Sequence, residues 1–347
     1  MSKKMKPLQF AIIGYGGMGS YHAKTIMQKS SEVVAVKGVY DIKSERQDVA
    51  QADGFLAYES LPELLEDETT DAILIATPND SHKELAIAAL KAGKHVVCEK
   101  PVAMNTAELD EILAEAKKCE RTFMVHQNRR WDPDFLMIRQ MYQEKTLGDL
   151  FQIESRVQGA NGIPGDWRHL QKHGGGMLLD WGVHLFDQLL FLIDSPLQTI
   201  QTDLSYILGD EVDDGFHSYL TFENGVKVII EVGTTNYIPL PRWYVKGMEG
   251  TALISDWDLN GKMVKATHEK TAAPKPIQAG VGLTKTMAPP REDATEVLSL
   301  PAVETPYPSF YANFYDVVVN GGEPIVKNSE VRRVLALLET ILAKGNN

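Results

Sequence analysis

Leu8-Gln9-Phe10-Ala11-Ile12-Ile13-Gly14-Tyr15-Gly16-Gly17-Met18-Gly19 is the stretch on which the fold turns. Its first half is a short, nearly continuous apolar run, the pattern of a strand buried on both faces of a parallel sheet. Its second half spaces Gly14, Gly16 and Gly19 as G-x-G-x-x-G, and an amphipathic helical stretch over residues 18–29 follows. The first glycine permits a tight turn, the second lets backbone approach a pyrophosphate, and the third lets helix pack close on strand. The helix N-terminus then faces the phosphates. A second apolar run, residues 33–40, ends in Asp41, 22 residues past Gly19. A carboxylate there accepts hydrogen bonds from the adenosine ribose hydroxyls and repels a 2′-phosphate. The expected cofactor is therefore NAD rather than NADP, with Lys43 and Arg46 close enough to soften the preference. Gly14, Gly16, Gly17, Met18, Gly19 and Asp41 are the expected contacts of this segment.

The alternation continues along the chain. Ser60 and Glu63 have capping-box spacing, residues 72–76 read as a strand, and Ser81 with Glu84 opens the next helix. Residues 95–98 are another strand, Asn105 caps a helix running to about Cys119, and residues 122–126 make one more strand. Strands alternating with helices predict an α/β, doubly wound Rossmann domain over residues 1–130. Beyond residue 131 the pattern changes. A helix near residues 134–144 gives way to strand-like runs at 151–158, 199–208, 218–222, 226–233, 242–247 and 251–256, with a long apolar helix over 177–193 among them. These predict an α+β domain, residues 131–347, built on a large, mostly antiparallel open sheet. Residues 266–300 are polar, rich in Pro, Gly and Thr, and read as a loop serving as a lid or a dimer arm. Residues 329–344 form a last amphipathic helix, expected to pack back on the N-terminal domain.

With 347 residues the chain has room for about two domains. A 44% hydrophobic composition with a formal charge of −12 is ordinary globular usage. It excludes a disordered tail, a disulfide scaffold and a generic nucleic-acid binder, which needs clustered positive charge. Two cysteines, Cys98 and Cys119, make no disulfide framework and indicate a reducing compartment. The apolar run at residues 8–13 is too short for a signal-peptide core. No stretch approaches the ~20 apolar residues that a membrane helix needs. A cytoplasmic protein with neither membrane nor nucleic acid as partner is expected.

Three further segments fall past the carboxyl ends of predicted strands, where a doubly wound sheet places its ligands. They are Thr77-Pro78-Asn79 with His82, Glu99-Lys100-Pro101, and Gln127-Asn128-Arg129-Arg130. Together with the glycine turn and Gly174-Gly175-Gly176 followed by Asp180, Gly182 and His184, these segments resemble the Gfo/Idh/MocA family (glucose–fructose oxidoreductase, inositol dehydrogenase, rhizopine catabolism). The resemblance covers about residues 8–190. It implies cofactor contacts from Thr77, Pro78, Asn79, His82, Glu99, Lys100 and Asn128. It also implies a catalytic lysine, aspartate and histidine at Lys100, Asp180 and His184, and a homodimer or homotetramer built on the open sheet face.

The residue types suit that chemistry. Asp180 and His184, at i and i+4, share a helix face. Histidine titrates near neutrality, which suits the transfer of a hydroxyl proton. Lys100, carried in from the other domain, can bond the reacting oxygen and stabilise its developing negative charge. Asp180 can accept a substrate hydroxyl or hold the charge of His184, and Gly182 removes bulk where a substrate or backbone approaches. Trp167 and Arg168 are further candidate substrate contacts beside Asp180 and His184, with Arg168 suited to a phosphate or a sugar hydroxyl. His169 and His173 stand four apart but lack a Cys partner or a His-Glu-x-x-His run, so no metal site is expected. The reading is an NAD(P)-dependent dehydrogenase acting on a secondary hydroxyl of a cyclic polyol or sugar. An NAD-dependent glycosidase working through transient sugar oxidation is one alternative. A non-catalytic nucleotide-sensing regulator is the other, although a pure sensor has no need of Lys100, Asp180 and His184 together.

Overall fold

A computed structural model describes residues 6–267, 275–289, 294–304 and 309–345. Six parallel strands come first: β1 (Leu8–Ile13), β2 (Val34–Tyr40), β3 (Leu56–Ala57), β4 (Ala72–Ile75), β5 (His95–Cys98) and β6 (Phe123–Val125). They lie in the order β3-β2-β1-β4-β5-β6. The order reverses between β1 and β4, and a crevice opens there past the carboxyl ends of the strands. Helices cover both faces, so the central strands carry apolar residues at successive positions, and Phe10, Ile12, Ile73, Leu74, Val96 and Val97 are fully buried. The helix after the glycine turn runs as three joined pieces, Gly17–Tyr21, His22–Ile26 and Met27–Lys29, the middle one a π turn.

Ser60 accepts from Glu63 N at 3.3 Å and Asn105 from Glu108 N at 2.9 Å, as their spacing predicts. Ser81 behaves otherwise. Its hydroxyl turns back to Pro78 O at 2.8 Å and lies 2.7 Å from Thr77 Oγ1, so helix His82–Lys91 starts without a side-chain cap. Helix Ser44–Ala52 and the two-residue β3 are additions to the elements expected from the sequence.

The second sheet has β7 (Leu150–Gln158), β8 (Leu197–Ser205), β9 (Gly215–Phe222), β10 (Lys227–Gly233), β11 (Trp243–Gly247), β12 (Gly250–Ile254) and β13 (Gly261–Ala266). After it β14 (Ile277–Ala279) and β15 (Gly282–Thr284) form a separate hairpin, and β16 (Thr295–Leu298) returns to the sheet edge. The order is β16-β13-β12-β11-β7-β10-β9-β8, and only the β7–β10 pair is parallel. Residues 266–300 are thus a hairpin and an edge strand rather than one loop, with 268–274 and 290–293 outside the described residues. Short, mostly exposed strands lack the one-sided burial that produces a readable alternation. Phe216, Leu220 and Phe222 face inward from β9, with Phe216 stacked on Phe186 of helix Val183–Leu192, while His217 and Tyr219 face out.

The chain end joins the two cores. Helix Asn328–Gly345 places Val331 and Leu335 in the first core and Val334, Leu338 and Ile341 in the second. Helix Ser309–Asn320, unforeseen in the sequence, adds Phe310, Tyr311 and Phe314 to the first core. Buried Arg130 pairs through two bonds with Asp187 (2.6 and 2.7 Å) and through Nη1 with Glu330 (2.7 Å). Among the described residues no helix is long and apolar enough to cross a membrane.

Candidate active site

The glycine turn divides into crowded and open positions. Gly14 has φ +93°, and a Cβ there would sit 2.7 Å from Ala76 O. A Cβ on Gly19 would come within 1.9 Å of Gly14 O, whereas Gly16 and Gly17 face open space. Two positions therefore lack side chains because the fold is tight, and two because backbone is left clear for a ligand. Met18 is half-buried beside them. Asp41 is pinned at the lip of the turn, its Oδ2 accepting from Tyr15 N at 2.7 Å and its Oδ1 from Lys43 N at 2.9 Å. Each oxygen keeps acceptor capacity for a ribose hydroxyl. Lys43 and Arg46 are exposed nearby.

Several expected cofactor contacts have other tasks. Asn79 is buried and donates through Nδ2 to Gly174 O at 2.9 Å, which ties the two domains. His82 is fully buried, its ring nitrogens 2.9 Å from Pro101 O and from Thr77 O. His82 has both ring nitrogens engaged with backbone carbonyls, whereas Asn79 holds Gly174 through Nδ2 alone. Thr77 and Pro78 stay half-buried at the crevice edge, and Asn128 opens the short turn Asn128–Trp131 after β6.

Glu99 is the centre of a buried network. Its Oε1 accepts from His22 Nε2 at 2.7 Å and from His126 Nδ1 at 2.9 Å, and its Oε2 accepts from Lys100 N at 3.1 Å. Tyr311 Oη lies 2.7 Å from His22 Nδ1. Burial opposes a charge on Glu99, but the two imidazoles outweigh it and hold the carboxyl well below its usual range. Burial and then His126 lower the His22 pKa. A neutral His22 can donate to Glu99 and accept from Tyr311 at once. The three donor atoms lie within 4.8 Å of one another, a metal-like grouping. Their 2.7 and 2.9 Å separations are hydrogen-bond lengths, shorter than the about 3.3 Å between ligands on tetrahedral zinc. His22, three residues past Gly19, and His126, at the end of β6, were visible in the sequence. Their pairing with each other and with Tyr311 was not. His169 and His173 diverge, toward Asp210 and Asp80.

The proposed catalytic residues do converge. The Lys100–Pro101 peptide is cis, and Lys100 Nζ donates to Asp180 O at 2.9 Å and to Asp180 Oδ1 at 3.1 Å. Arg168 Nε lies 3.3 Å from Asp180 Oδ2, and Arg168 Nη1 donates to Asp166 at 2.7 Å, with its guanidinium over the Trp167 ring. Gly175 lets the Arg168 loop pack this close, since a Cβ there would be 2.3 Å from Arg168 O. Burial would raise the Asp180 pKa, but Lys100 and Arg168 outweigh it and lower it. Asp180 sits in a π turn, Leu178–Gly182, and His184 follows one turn on, buried, in helix Val183–Leu192. Burial, then the Lys100 and Arg129 cations, hold His184 well below 6.5. Gly182 does not face a substrate: it packs against Phe216 and Leu178 in the core.

Around His184 lies a set of buried polar atoms without hydrogen-bond partners among the described residues: His184 Nδ1, both amide atoms of Gln127, Arg129 Nε and Gln188 Oε1. Gln188 donates to Arg129 O at 2.7 Å, which links the helix to the turn after β6. Orphaned buried polar groups are costly and are rare except where a ligand completes them. Open glycines at one end of the crevice, Asp41 at its lip and an unsatisfied amide at the end of β6 together fit a dinucleotide. Gln127 and Arg129 lie in the segment after β6 expected to face the ligand, although only Asn128 of it was expected as a cofactor contact, and Trp181 was not expected at all. An amide directly after a buried apolar strand was the available signal.

Comparison with known proteins agrees with this geometry. Residues 8–127 match the model of the Gfo/Idh/MocA oxidoreductase family with NAD-binding Rossmann fold, and residues 135–253 match the Gfo/Idh/MocA C-terminal domain. The crystal structure of an NAD-binding protein from Listeria innocua is 59% identical, covers 99% of this chain and 98% of its own, and superposes with a TM-score of 0.95. The uncharacterized oxidoreductase YdgJ of Escherichia coli is 31% identical over 339 residues, 96% of this chain and 94% of YdgJ. The scyllo-inositol 2-dehydrogenase (NADP(+)) IolW of Bacillus subtilis is 24% identical over 345 residues, 98% of this chain and 94% of IolW.

Proposed function

Because this chain belongs to the Gfo/Idh/MocA family of oxidoreductases and carries its NAD-binding Rossmann domain, we propose that it is a dehydrogenase acting on a secondary hydroxyl of a cyclic polyol or sugar. The observation that carries this reading is the meeting of Lys100 from one domain with Asp180 from the other, one turn from a buried, neutral His184. Bound nicotinamide supplies the hydride acceptor or donor. Gly16, Gly17, Asp41 and Gln127 would hold it, Gln127 offering a donor and an acceptor to a group that needs both.

The chain does the remaining work. His184, kept unprotonated, takes the hydroxyl proton in the oxidative direction. Lys100 donates to the same oxygen and stabilises its developing charge in a site screened from water. Asp180 keeps Lys100 in place and accepts from a neighbouring hydroxyl, and Arg168 on its second oxygen keeps that carboxylate ionised and oriented. Kinship with an inositol dehydrogenase supports the polyol class. The half-exposed Phe151 and Tyr219 on the second sheet support assembly into a homodimer or homotetramer, which light scattering would read.

Nicotinamide absorbance should be followed with inositols, aldoses, sugar acids and anhydrosugars, with NAD and NADP in parallel. The reading expects a signal with one of these classes and a preference for NAD. Silence across the panel while nucleotide binding persists would overturn it.

A further inference from the structure

Two indoles, Trp181 and Trp257, stand beside the helix that carries His184. Trp257 lies between β12 and β13 and is 51% exposed, yet it is firmly held. Its turn is locked by Asp256, whose Oδ1 accepts from Asp258 N and Asn260 N at 3.1 Å and whose Oδ2 accepts from Asn260 Nδ2 at 2.9 Å. The Arg242 guanidinium sits 4.5 Å from the ring centroid and that of Arg129 5.5 Å. Trp181, next in sequence to Asp180, lies 6.1 Å away, and its own ring is 6.0 Å from the His184 ring. Arg129 also stacks on Trp181 at 4.3 Å and carries the buried, unpaired Nε. From the catalytic base outward the order is therefore His184, Trp181, Trp257, in two near-equal steps.

We propose that Trp257, with Trp181 and Arg129, forms a second saccharide subsite, so that the substrate is a glycoside or disaccharide rather than a free monosaccharide. The inference rests on the dehydrogenase reading above and extends it. A sugar ring has an apolar C–H face and a rim of hydroxyls. The wall offers matching partners in the Trp257 indole, 51% exposed, and the Arg129 guanidinium beside it. With 6.0 Å from His184 to Trp181 and 6.1 Å from Trp181 to Trp257, a ring reacting at His184 would meet Trp181 and a second ring attached to it would meet Trp257. Cation–π contact with Arg242 and Arg129 keeps the exposed indole in position before any ligand arrives, which lowers the ordering cost of binding.

The test pairs glucose with cellobiose and maltose, and galactose with lactose, measuring kcat/KM with NAD alongside quenching of intrinsic tryptophan fluorescence. The expected result is a disaccharide preference of about tenfold. W257A should collapse that preference through KM, and W257F should restore most of it. Quenching should saturate with disaccharide in the wild type and disappear in W257A. Equal handling of both members of every pair by the wild type would overturn the subsite and leave the dehydrogenase standing. So would an equal loss on both in W257A, or a change in its mass by light scattering, which would make Trp257 an assembly contact. If no sugar is turned over, saturable quenching by disaccharide alone still supports the subsite while the dehydrogenase reading falls. Absence of quenching then overturns both.

Discussion

Lys100 Nζ is held by two oxygens of a single residue, the carbonyl of Asp180 at 2.9 Å and its carboxylate at 3.1 Å. The carbonyl is within reach because Asp180 sits in a π turn, where the ladder of helix hydrogen bonds is loosened and a side-chain donor can enter. The lysine and its partner come from different domains, so the site exists only when the two are docked.

Removing the lysine or the base should abolish chemistry while leaving the nucleotide site intact. K100M and H184A are each expected to lower kcat by about 10²–10⁴-fold. NADH binding, followed by fluorescence titration, should stay within a few-fold of wild type. Near-normal turnover in either variant would remove that residue from the mechanism.

The pH profile should report the environment of His184. Burial, Lys100 and Arg129 depress its pKa below 6.5, so the imidazole stays a proton acceptor where a free one would be protonated. In the oxidative direction the acid limb of kcat/KM should therefore lie below pH 6.5. R129Q removes one of the depressing cations, and its limb should shift to higher pH. A wild-type limb at or above pH 6.5 would contradict the assignment of His184 as base.

The two kinds of glycine in the nucleotide turn predict two kinds of defect. G19A forces a Cβ onto a backbone carbonyl, and overpacking of this sort costs about 1–3 kcal/mol or more. Its melting temperature should fall. G16A adds a methyl group to open space, so its Tm should match wild type while NADH affinity drops about tenfold or more. Equal behaviour of the two variants in both assays would refute the division.

Cofactor choice should follow Asp41. D41S removes the charge opposed to a 2′-phosphate, with Lys43 and Arg46 exposed beside it. The ratio of kcat/KM for NAD to that for NADP is expected to fall about ten- to hundredfold. An unchanged ratio would place the selector elsewhere.

The sequence announced what is local and hid what is distant. Gly14, Gly19 and Asp41 act within one strand–helix–strand unit, so their spacing carries their role. The Ser60 and Asn105 caps are legible for the same reason. Ser81 misled because its hydroxyl had a nearer partner in Pro78 O. A polar residue at a strand end has the same spelling whether it meets a ligand or ties a loop, and both ring nitrogens of His82 meet backbone carbonyls. The Glu99 network joins residues up to 289 positions apart, and only packing brings Tyr311 to His22. Trp257 was invisible because nothing in the turn between β12 and β13 points to the helix that carries His184.

Helix Asn328–Gly345 lends alternate side chains to both hydrophobic cores. It makes the two halves thermodynamically one object. Neither sheet can melt without stripping cover from the other, so heat should produce a single cooperative transition with no half-folded species at equilibrium. A fragment cut near residue 130 would lack the helical cover of Val331 and Leu335 and of Phe310 and Phe314. The two large sheets make one unit of folding, closed by helix Asn328–Gly345.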